Sequence, residues 1–406
     1  MQKQASTTAA KRTGAAWQHA ALPLLCATVV LLFGIWLLVA PQKQYSAEEK
    51  RALTTAPAFS AEALFDGSYT AALGEFCADQ FPLRSMFVDL KASCERLLLR
   101  GENNGGIIGK EGYLISRQEY TDAQYDTLRQ NAATLRRIAA EAQERGMNVV
   151  LSAVPRSVDV NRRYLPSLYD SSAADAVWEV WEEATAGMST ASTLEALRAA
   201  AEGGEQVWYK TDHHWTAAGA YRAYVALAPS LEYEPYDESA FEEQTVTDAF
   251  FGTTYASAGL RNTAPDVLSL WRYEGDTDYR VVIHGAGGRT LEGLYDLAAA
   301  ESDDPYNVFL GGTNAYVCVE PQHSELPTLL ILKDSYAQSL APYLARHFRL
   351  ILVDPRSFKA DVTTTLWSII DEQQPDAMLI LCGIDTLCGD ANLRALLIGM
   401  TSRAQQ

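Results

Sequence analysis

Short apolar segments that alternate with helical stretches constrain the fold of this chain of 406 residues more than any other feature. Such alternation is typical of an α/β fold in which a mostly parallel sheet is flanked by helices. Ligands of these sheets bind at the carboxyl ends of the strands. The predicted strands cover residues 147–154, 206–209, 328–332, 348–353 and 377–381.

The string Asp212-His213-His214-Trp215 follows one of these predicted strands, and two of the six histidines are adjacent in it. An Asp two residues before a His can orient the imidazole ring and stabilise its charged form, as a serine-activating pair requires. His214 is therefore the candidate base, and Asp212 is its orienting acid. His213 is predicted to be a structural hydrogen-bond partner, and Trp215 is predicted to belong to the core or to a pocket wall.

Ser335 is the candidate nucleophile, because it follows the strand at 328–332 and a helical pattern begins at Ala337. A serine at a strand-to-helix turn is exposed at the edge of the sheet, and its backbone N–H lies where a developing oxyanion is favoured. The alternative is that Asp334 and Ser335 only cap the helix. The pattern therefore predicts either a nucleophile or a helix cap.

Residues 20–40 hold no charged side chain and are as long as the roughly 20 residues that suffice to cross a bilayer. Lys3, Lys11 and Arg12 precede this stretch, and the first acidic residue is Glu48, which predicts a cytoplasmic N-terminus. We therefore expect a single-pass signal anchor in the cell membrane. A cleaved signal peptide is the competing interpretation, although no A-x-A site closes the stretch cleanly.

This organisation predicts a chain whose C-terminal domain is extracytoplasmic. A net charge of −18 and the absence of a basic groove exclude nucleic acid as an expected partner. The predicted segments are a cytoplasmic N-terminus at 1–19, the transmembrane anchor at 20–40, a juxtamembrane helical stalk at 41–104, and a catalytic domain at 105–406 with an irregular insertion at about 230–305.

Several elements together resemble the DHHW protein family, which is related to the SGNH-hydrolase-like domains of periplasmic alginate O-acetyltransferases. The resemblance implies an SGNH-hydrolase-like fold with Ser335 as nucleophile, His214 as general base and then acid, and Asp212 as its orienting partner. Acid and base precede the serine here, which is harmless because geometry and not chain order defines a triad. The matching elements are the anchor and residues 49–51, 79–84, 109–114, 211–216 and 333–336.

For the remaining candidate site residues, the sequence pattern leaves more than one role open. Lys333 replaces the Gly that ordinarily precedes Asp-Ser in SGNH hydrolases, and it could contact substrate instead. Gly312 or Asn314 is the candidate second oxyanion donor beside the Ser335 N–H. Arg156 follows the strand at 147–154 and either anchors substrate or forms a buried ion pair.

A metal site is the alternative interpretation of the Asp-His-His string, because carboxylates and imidazoles suit divalent ions. Metal-dependent phosphoesterases with those letters also need closely spaced upstream aspartates, and the early part of the main domain has no Asp-x-Asp. We therefore predict neither a metal nor another cofactor.

The leading functional hypothesis is a membrane-anchored O-acyltransferase that moves an acetyl group to a cell-surface polysaccharide hydroxyl through an acyl-serine. The resemblance implies a polytopic membrane-bound O-acyltransferase as the acetyl donor. The alternatives are a carbohydrate esterase, which removes acetyl groups, and a non-catalytic protein that binds or assembles surface glycans. The distance between Ser335 Oγ and His214 distinguishes catalysis from binding alone.

Overall fold

A computed structural model of the chain describes residues 21–37, 39–46, 51–117, 119–260, 263–285, 287–358 and 364–402. The predicted cytoplasmic segment 1–19 and two positions of the predicted anchor, 20 and 38, lie outside these residues. Within the described ranges, we find no helix whose length and apolar character would let it cross a bilayer. The chain divides into two compact units, Met1–Cys94 and Glu95–Gln406.

The first unit is mainly helical. Residues 21–37 form helix α1, and a two-stranded antiparallel ribbon follows it. Ser60 begins the next helix, because its side chain accepts a hydrogen bond from the N–H of Ala63 at 3.0 Å. The further elements are β1 (Tyr45–Ser46), β2 (Arg51–Ala52), α2 (Ala61–Phe65), α3 (Ser68–Asp79) and α4 (Arg84–Leu97), whose last residues belong to the second unit.

The second unit is an α/β domain. Its strands are β3 (Glu102–Asn103), β4 (Gly106–Ile108), β5 (Leu114–Ser116), β6 (Asn148–Val154), β7 (Glu242–Phe250), β8 (Asp266–Arg272), β9 (Tyr279–Ile283), β10 (Arg289–Glu292), β11 (Tyr316–Pro321), β12 (Thr328–Lys333), β13 (Arg349–Val353) and β14 (Ala377–Gly383). Its helices are α5 (Asp122–Glu144), α6 (Ser157–Val160), α7 (Ser172–Ala184), α8 (Leu194–Glu202), α9 (Ala217–Leu231), α10 (Thr253–Ala258), α11 (Ala337–Leu344), α12 (Leu366–Gln373), α13 (Ile384–Gly389) and α14 (Leu393–Thr401).

The central sheet has seven strands in the order β10-β9-β11-β13-β12-β14-β6. Strands β13, β12, β14 and β6 are parallel neighbours, whereas β11, β9 and β10 pair antiparallel at one side. The sheet is therefore mixed, and the prediction of a mostly parallel sheet was wrong. Antiparallel neighbours need only a short connection, as between β9 and β10. The antiparallel part of the sheet therefore lacks the α-helices between strands from which a sequence predicts parallel strands.

Helices cover both faces of this sheet because its central strands are apolar on both sides. Leu329 and Ile331 of β12 enter one core, with residues of α9 and α11. Leu330 and Leu332 enter the other core, with residues of α5, α12 and α14. Successive side chains of a strand point to opposite faces, so one unbroken apolar run serves two cores.

Two predicted features differ from the structure. Residues 206–209 form no strand of the sheet, because the chain turns back on itself and leaves one antiparallel bridge between Trp208 and Trp215. The segment 230–305 is not simply an irregular insertion. It contains the antiparallel pair of β7 and β8, which α10 connects, and it supplies β9 and β10 to the central sheet.

Candidate active site

Ser335 follows the carboxyl end of β12, two residues before α11 begins. The Asp334 N–H still donates to the Leu381 carbonyl of β14 at 3.3 Å, and the Asp334 carboxylate accepts hydrogen bonds from the Gly383 N–H at 2.6 Å and the Thr386 hydroxyl at 3.0 Å. These contacts join the serine turn to the end of β14. Ser335 itself is half-buried.

The histidine string lies at the tip of a tight loop. Trp208 and Trp215 pair across this loop as an antiparallel bridge, and the Tyr209 N–H donates to the His214 carbonyl at 3.2 Å. Thr216 then caps α9, because its hydroxyl accepts from the Gly219 N–H at 3.1 Å. The loop is thus fixed at both ends.

The structure brings Ser335, His214 and Asp212 into one hydrogen-bonded chain. His214 Nε2 lies 2.8 Å from Ser335 Oγ, and His214 Nδ1 lies 2.5 Å from Asp212 Oδ1. The backbone N–H of His214 also donates to Asp212 Oδ1 at 2.9 Å, which fixes the ring relative to the carboxylate. Nucleophile, base and orienting acid therefore have the geometry of a catalytic triad.

The second oxygen of Asp212 is held by a segment far away in the sequence. Asp212 Oδ2 accepts from the Thr253 N–H at 2.7 Å and from the Thr253 hydroxyl at 3.0 Å. The preceding residue must be Gly252, since a Cβ there would lie 2.1 Å from the Cβ of Asp212. Close backbone approach at this glycine is what delivers both donors to the carboxylate.

Tyr306 covers one face of the candidate base. Its ring stacks on His214 with centroids 4.3 Å apart and planes inclined by 12°. The Tyr306 hydroxyl lies 2.9 Å from Ser339 Oγ, which also accepts from the Trp215 indole N–H at 2.8 Å. Ser339 thus holds both the Tyr306 ring, which covers His214, and Trp215, which follows His214 in the chain.

The surroundings set the charges of the two titratable members. Burial lowers the pKa of His214, the neighbouring His213 lowers it further, and Asp212 only partly opposes this. Burial disfavours charge on Asp212, but His214 and His213 outweigh it and hold the Asp212 pKa well below its ordinary value. At neutral pH the carboxylate is therefore ionised, and the imidazole is free to accept a proton.

His213 occupies the side of the site nearer to solvent. Its side chain is 34% exposed, and its ring lies 3.8 Å from that of His214 between centroids. Its Nδ1 lies 2.5 Å from the Thr253 hydroxyl, and its carbonyl accepts from the Tyr336 hydroxyl at 2.8 Å. These contacts agree with the predicted role as a structural hydrogen-bond partner.

The two candidate oxyanion donors are already engaged. The Gly312 N–H donates to the Phe309 carbonyl at 3.0 Å, and the Asn314 amide donates to the Gly312 carbonyl at 2.9 Å. Both groups therefore hydrogen-bond within their own loop, which argues against the prediction that Gly312 or Asn314 is the second oxyanion donor. The Ser335 N–H lies at the start of the turn into α11 and remains the candidate oxyanion donor.

Arg156 lies in a buried ion pair, which was one of its two predicted roles. It is 4% exposed, and its guanidinium contacts Asp159 through Nε at 2.8 Å and through Nη2 at 2.6 Å. Nη2 also donates to the Ala174 carbonyl at 2.8 Å. Its hydrogen bonds are made to the protein, so the prediction of a substrate anchor was wrong.

Lys333 and Trp215 also belong to the interior. Lys333 is 2% exposed, and its Nζ lies 3.7 Å from Asp354, which is in turn paired with Arg356 at 2.9 Å. Burial lowers the pKa of Lys333, and Asp354 opposes the shift. Trp215 is fully buried. Neither side chain lines a surface that substrate could reach, so the predicted contact of Lys333 with substrate was wrong. Trp215 belongs to the core, which was one of its two predicted positions.

Asp212, His213 and His214 are near enough to one another to be considered as ligands of a metal ion. However, His214 has a protein partner on each ring nitrogen, Asp212 at Nδ1 and Ser335 at Nε2. A metal bound through this ring would have to displace one of these partners. The donor set therefore fits proton transfer better than coordination.

Sequence reasoning missed Thr253 and Tyr306, which both lie in or just after the segment interpreted as irregular. One signal was available for Thr253. The string from Phe250 to Tyr255 contains a single glycine between bulky residues, and a lone glycine in such a string often marks close backbone approach. No sequence pattern indicated that Tyr306 would reach His214.

Comparison with known proteins gives a consistent picture. The family described as "SGNH hydrolase-like domain, acetyltransferase AlgX" matches residues 107–269, a range that includes Asp212 and His214 and ends before Ser335. "Probable alginate O-acetylase AlgJ" of Pseudomonas aeruginosa is 29% identical over 177 residues, covering 41% of this chain and 44% of that protein. The protein of the same name from Pseudomonas syringae pv. tomato is 26% identical over 245 residues. That match covers 56% of this chain and 56% of that protein.

The matched part of the chain spans about half the length of these curated relatives. Among solved structures, a DHHW family protein from Eubacterium siraeum superposes with a TM-score of 0.60 at 21% identity, covering 74% of this chain and 98% of that one. This likeness concerns the fold. The resemblance predicted from the sequence is confirmed: the chain carries a region similar to the SGNH hydrolase-like domain of AlgX and has the fold of a DHHW family protein.

Proposed function

We propose that this chain is an O-acyltransferase that moves an acetyl group to a polysaccharide hydroxyl through an acyl-Ser335 intermediate. The observation that carries the proposal is the 2.8 Å contact between Ser335 Oγ and His214 Nε2, with Asp212 on the other ring nitrogen. A hydroxyl within hydrogen-bond reach of an oriented base is what nucleophilic activation requires. The same contact disfavours a protein that only binds glycans.

In the first half-reaction, the Ser335 hydroxyl proton moves to His214 Nε2 while Oγ forms a bond to the acetyl carbon of the donor. Asp212 stabilises the imidazolium that results. The Ser335 N–H stabilises the negative oxygen of the tetrahedral intermediate. His214 then gives the proton to the departing oxygen of the donor, and the carbon–oxygen bond to the donor breaks.

In the second half-reaction, His214 removes the proton of a sugar hydroxyl, whose oxygen attacks the acetyl carbon. The bond to Ser335 Oγ breaks, and His214 returns the proton to Oγ. If water takes the place of the sugar, the same steps make the protein a carbohydrate esterase. Acceptor binding therefore decides between transfer and hydrolysis.

The substrates and the location are parts of the same proposal. The relatives are alginate O-acetylases by name, which supports a polysaccharide acceptor. Uncharged residues 20–40, preceded by Lys3, Lys11 and Arg12, support an extracytoplasmic catalytic domain held at the membrane. Acetyl-CoA is absent there, so a polytopic membrane-bound O-acyltransferase would pass the acetyl group to Ser335.

The test is incubation of the chain with an activated acetyl ester, followed by mass spectrometry of the intact protein. We expect one added acetyl group on the native chain and none on the Ser335→Ala variant. Ser157→Ala serves as the control, since Ser157 is a buried serine in α6. Equal labelling of the native and Ser335→Ala chains would reject the nucleophile, and loss of the label to water alone in the presence of oligosaccharides would favour an esterase.

A further inference from the structure

Helix α4 presents its apolar face to solvent. Met86, Phe87 and Leu90 follow the three- and four-residue spacing of one helix face, and Leu83 immediately precedes the helix. Each of the four is between 42% and 56% exposed. Cys94, which is also exposed, continues the same line. We call these five residues the α4 stripe.

This orientation is the reverse of that in an ordinary surface helix, whose apolar stripe faces the core. Ala92, which lies on the side of α4 opposite the stripe, is 2% exposed. The helix therefore packs on the protein through a small residue and turns its large apolar residues outward. Exposed apolar patches of this kind mark a surface that another apolar phase covers.

The α4 stripe is continuous with helix α1 of the same unit. The Phe33 ring stacks on that of Phe81, with centroids 5.2 Å apart and planes inclined by 4°. Phe33 also meets the edge of Phe87 at 6.1 Å. One apolar surface thus extends from α1 across the start of α4.

The exposed side chains of α1 favour lipid as the occupant of this surface. Leu22, Leu24, Leu25 and Val30 are each more than half exposed, and at about 100° per residue they lie on all sides of the helix. A protein partner would cover one side of α1. Lipid surrounds a helix and covers every side.

Charge favours the same occupant. Helix α4 carries three basic and two acidic side chains, whereas the whole chain has a net charge of −18. Of the basic residues, Arg84 and Lys91 lie beside the stripe. An amphipathic helix with large apolar residues on one face and cations at its border suits the surface of a bilayer that contains anionic lipid.

We propose that α4 lies on the bilayer surface with the α4 stripe at the boundary between headgroups and acyl chains, beside α1. The inference rests on the membrane location under the proposed function and is independent of the acyl-transfer chemistry. It assigns α4 to holding the first unit on the membrane surface.

The experiment uses the full chain reconstituted in vesicles of phosphatidylcholine and phosphatidylglycerol, with an environment-sensitive fluorophore on Cys94. Cys26 and Cys77 are changed to Ser, and Cys318, Cys382 and Cys388 are buried and thus slow to react. The matched control moves the fluorophore to the opposite side of α4 through Cys94→Ser with Arg96→Cys. Lipids brominated on their acyl chains serve as quenchers.

We expect a blue shift and loss of most of the emission for the Cys94 label and little change for the Arg96→Cys label. Equal quenching of the two labels, or none at Cys94, overturns the inference even if the chain stays on the vesicles. A blue shift that appears without vesicles as protein concentration rises would assign the stripe to a second copy of the chain. Acetyl labelling of Ser335, measured on the same samples, reports separately on the proposed chemistry.

Discussion

Tyr306 lies face to face with His214 at a centroid distance of 4.3 Å, although Tyr306 is outside the string that identifies the candidate base. An aromatic face attracts positive charge, so this ring stabilises His214 most when the imidazole carries the serine proton. Tyr306 is thus a positioning residue that also favours the charged form of the base.

We expect Tyr306→Leu to lower the rate of acyl transfer about 2- to 30-fold, which corresponds to the loss of about 0.5–2 kcal/mol of cation–π stabilisation. Without the aromatic face the charged imidazole is less stable and the pKa of His214 falls, so the acid limb of the pH–rate profile should also move to lower pH. Tyr306→Phe keeps the ring and should keep the limb in place. A limb that stays fixed in Tyr306→Leu would show that the ring only fills space.

The pH dependence should follow from the lowered pKa of His214. The base acts when neutral, so the rate is full above the pKa of His214 and falls as the pH drops through it. We expect the midpoint of this fall below about 6.5, the ordinary value for histidine. Because His213 contributes to lowering that pKa, His213→Gln should move the fall to higher pH. His323→Gln, at an exposed position, should leave it unchanged.

Thr253 should matter through its hydroxyl, which contacts Asp212 at 3.0 Å and His213 at 2.5 Å. Thr253→Ala keeps the backbone N–H on the carboxylate and removes this hydroxyl, so we expect a loss of about 10-fold in the acylation rate. Thr253→Ser restores the hydroxyl and should restore most of the rate. A Ser variant as slow as the Ala variant would assign the effect to packing of the methyl group.

Arg156 should affect stability without affecting chemistry. Arg156→Leu leaves the fully buried Asp159 without its cation, and we expect a loss of about 3–5 kcal/mol in the free energy of unfolding by urea. Arg129→Leu, which removes an exposed pair with Asp126, should cost under about 1 kcal/mol. Acyl labelling per folded molecule should be unchanged in both variants. A selective loss of labelling in Arg156→Leu would restore its role as a substrate anchor.

Short sequence patterns were sufficient to predict the three residues of the candidate triad. Asp212 and His214 are two residues apart, so residue type and spacing identified this pair, although the strand predicted before it is absent from the sheet. Ser335 follows a strand whose apolar run is unmistakable, so its position at a strand end identified it. The strand predicted at 328–332 differs by one residue from β12, and the strand predicted at 377–381 begins at the first residue of β14. These elements have strong periodicity and clear ends.

The parts that failed depend on contacts between distant segments. Burial of Lys333 is possible because Asp354 follows the neighbouring strand β13 and meets it at the same edge of the sheet, and no pattern around Lys333 shows this. Tyr306 reaches His214 only through the folding of the segment between β10 and β11. The antiparallel half of the sheet was missed because no α-helix lies between β9, β10 and β11 in the chain.

The contact between His214 and Ser335 joins residues 121 positions apart in the chain. The base sits on a loop outside the sheet, while the hydroxyl follows a strand with neighbours on both sides, so the pair forms only when the loop has docked at the end of β12. Contacts of such high sequence separation form slowly and late. Regain of acylation after denaturation would therefore lag behind regain of helix content and would mark the end of folding.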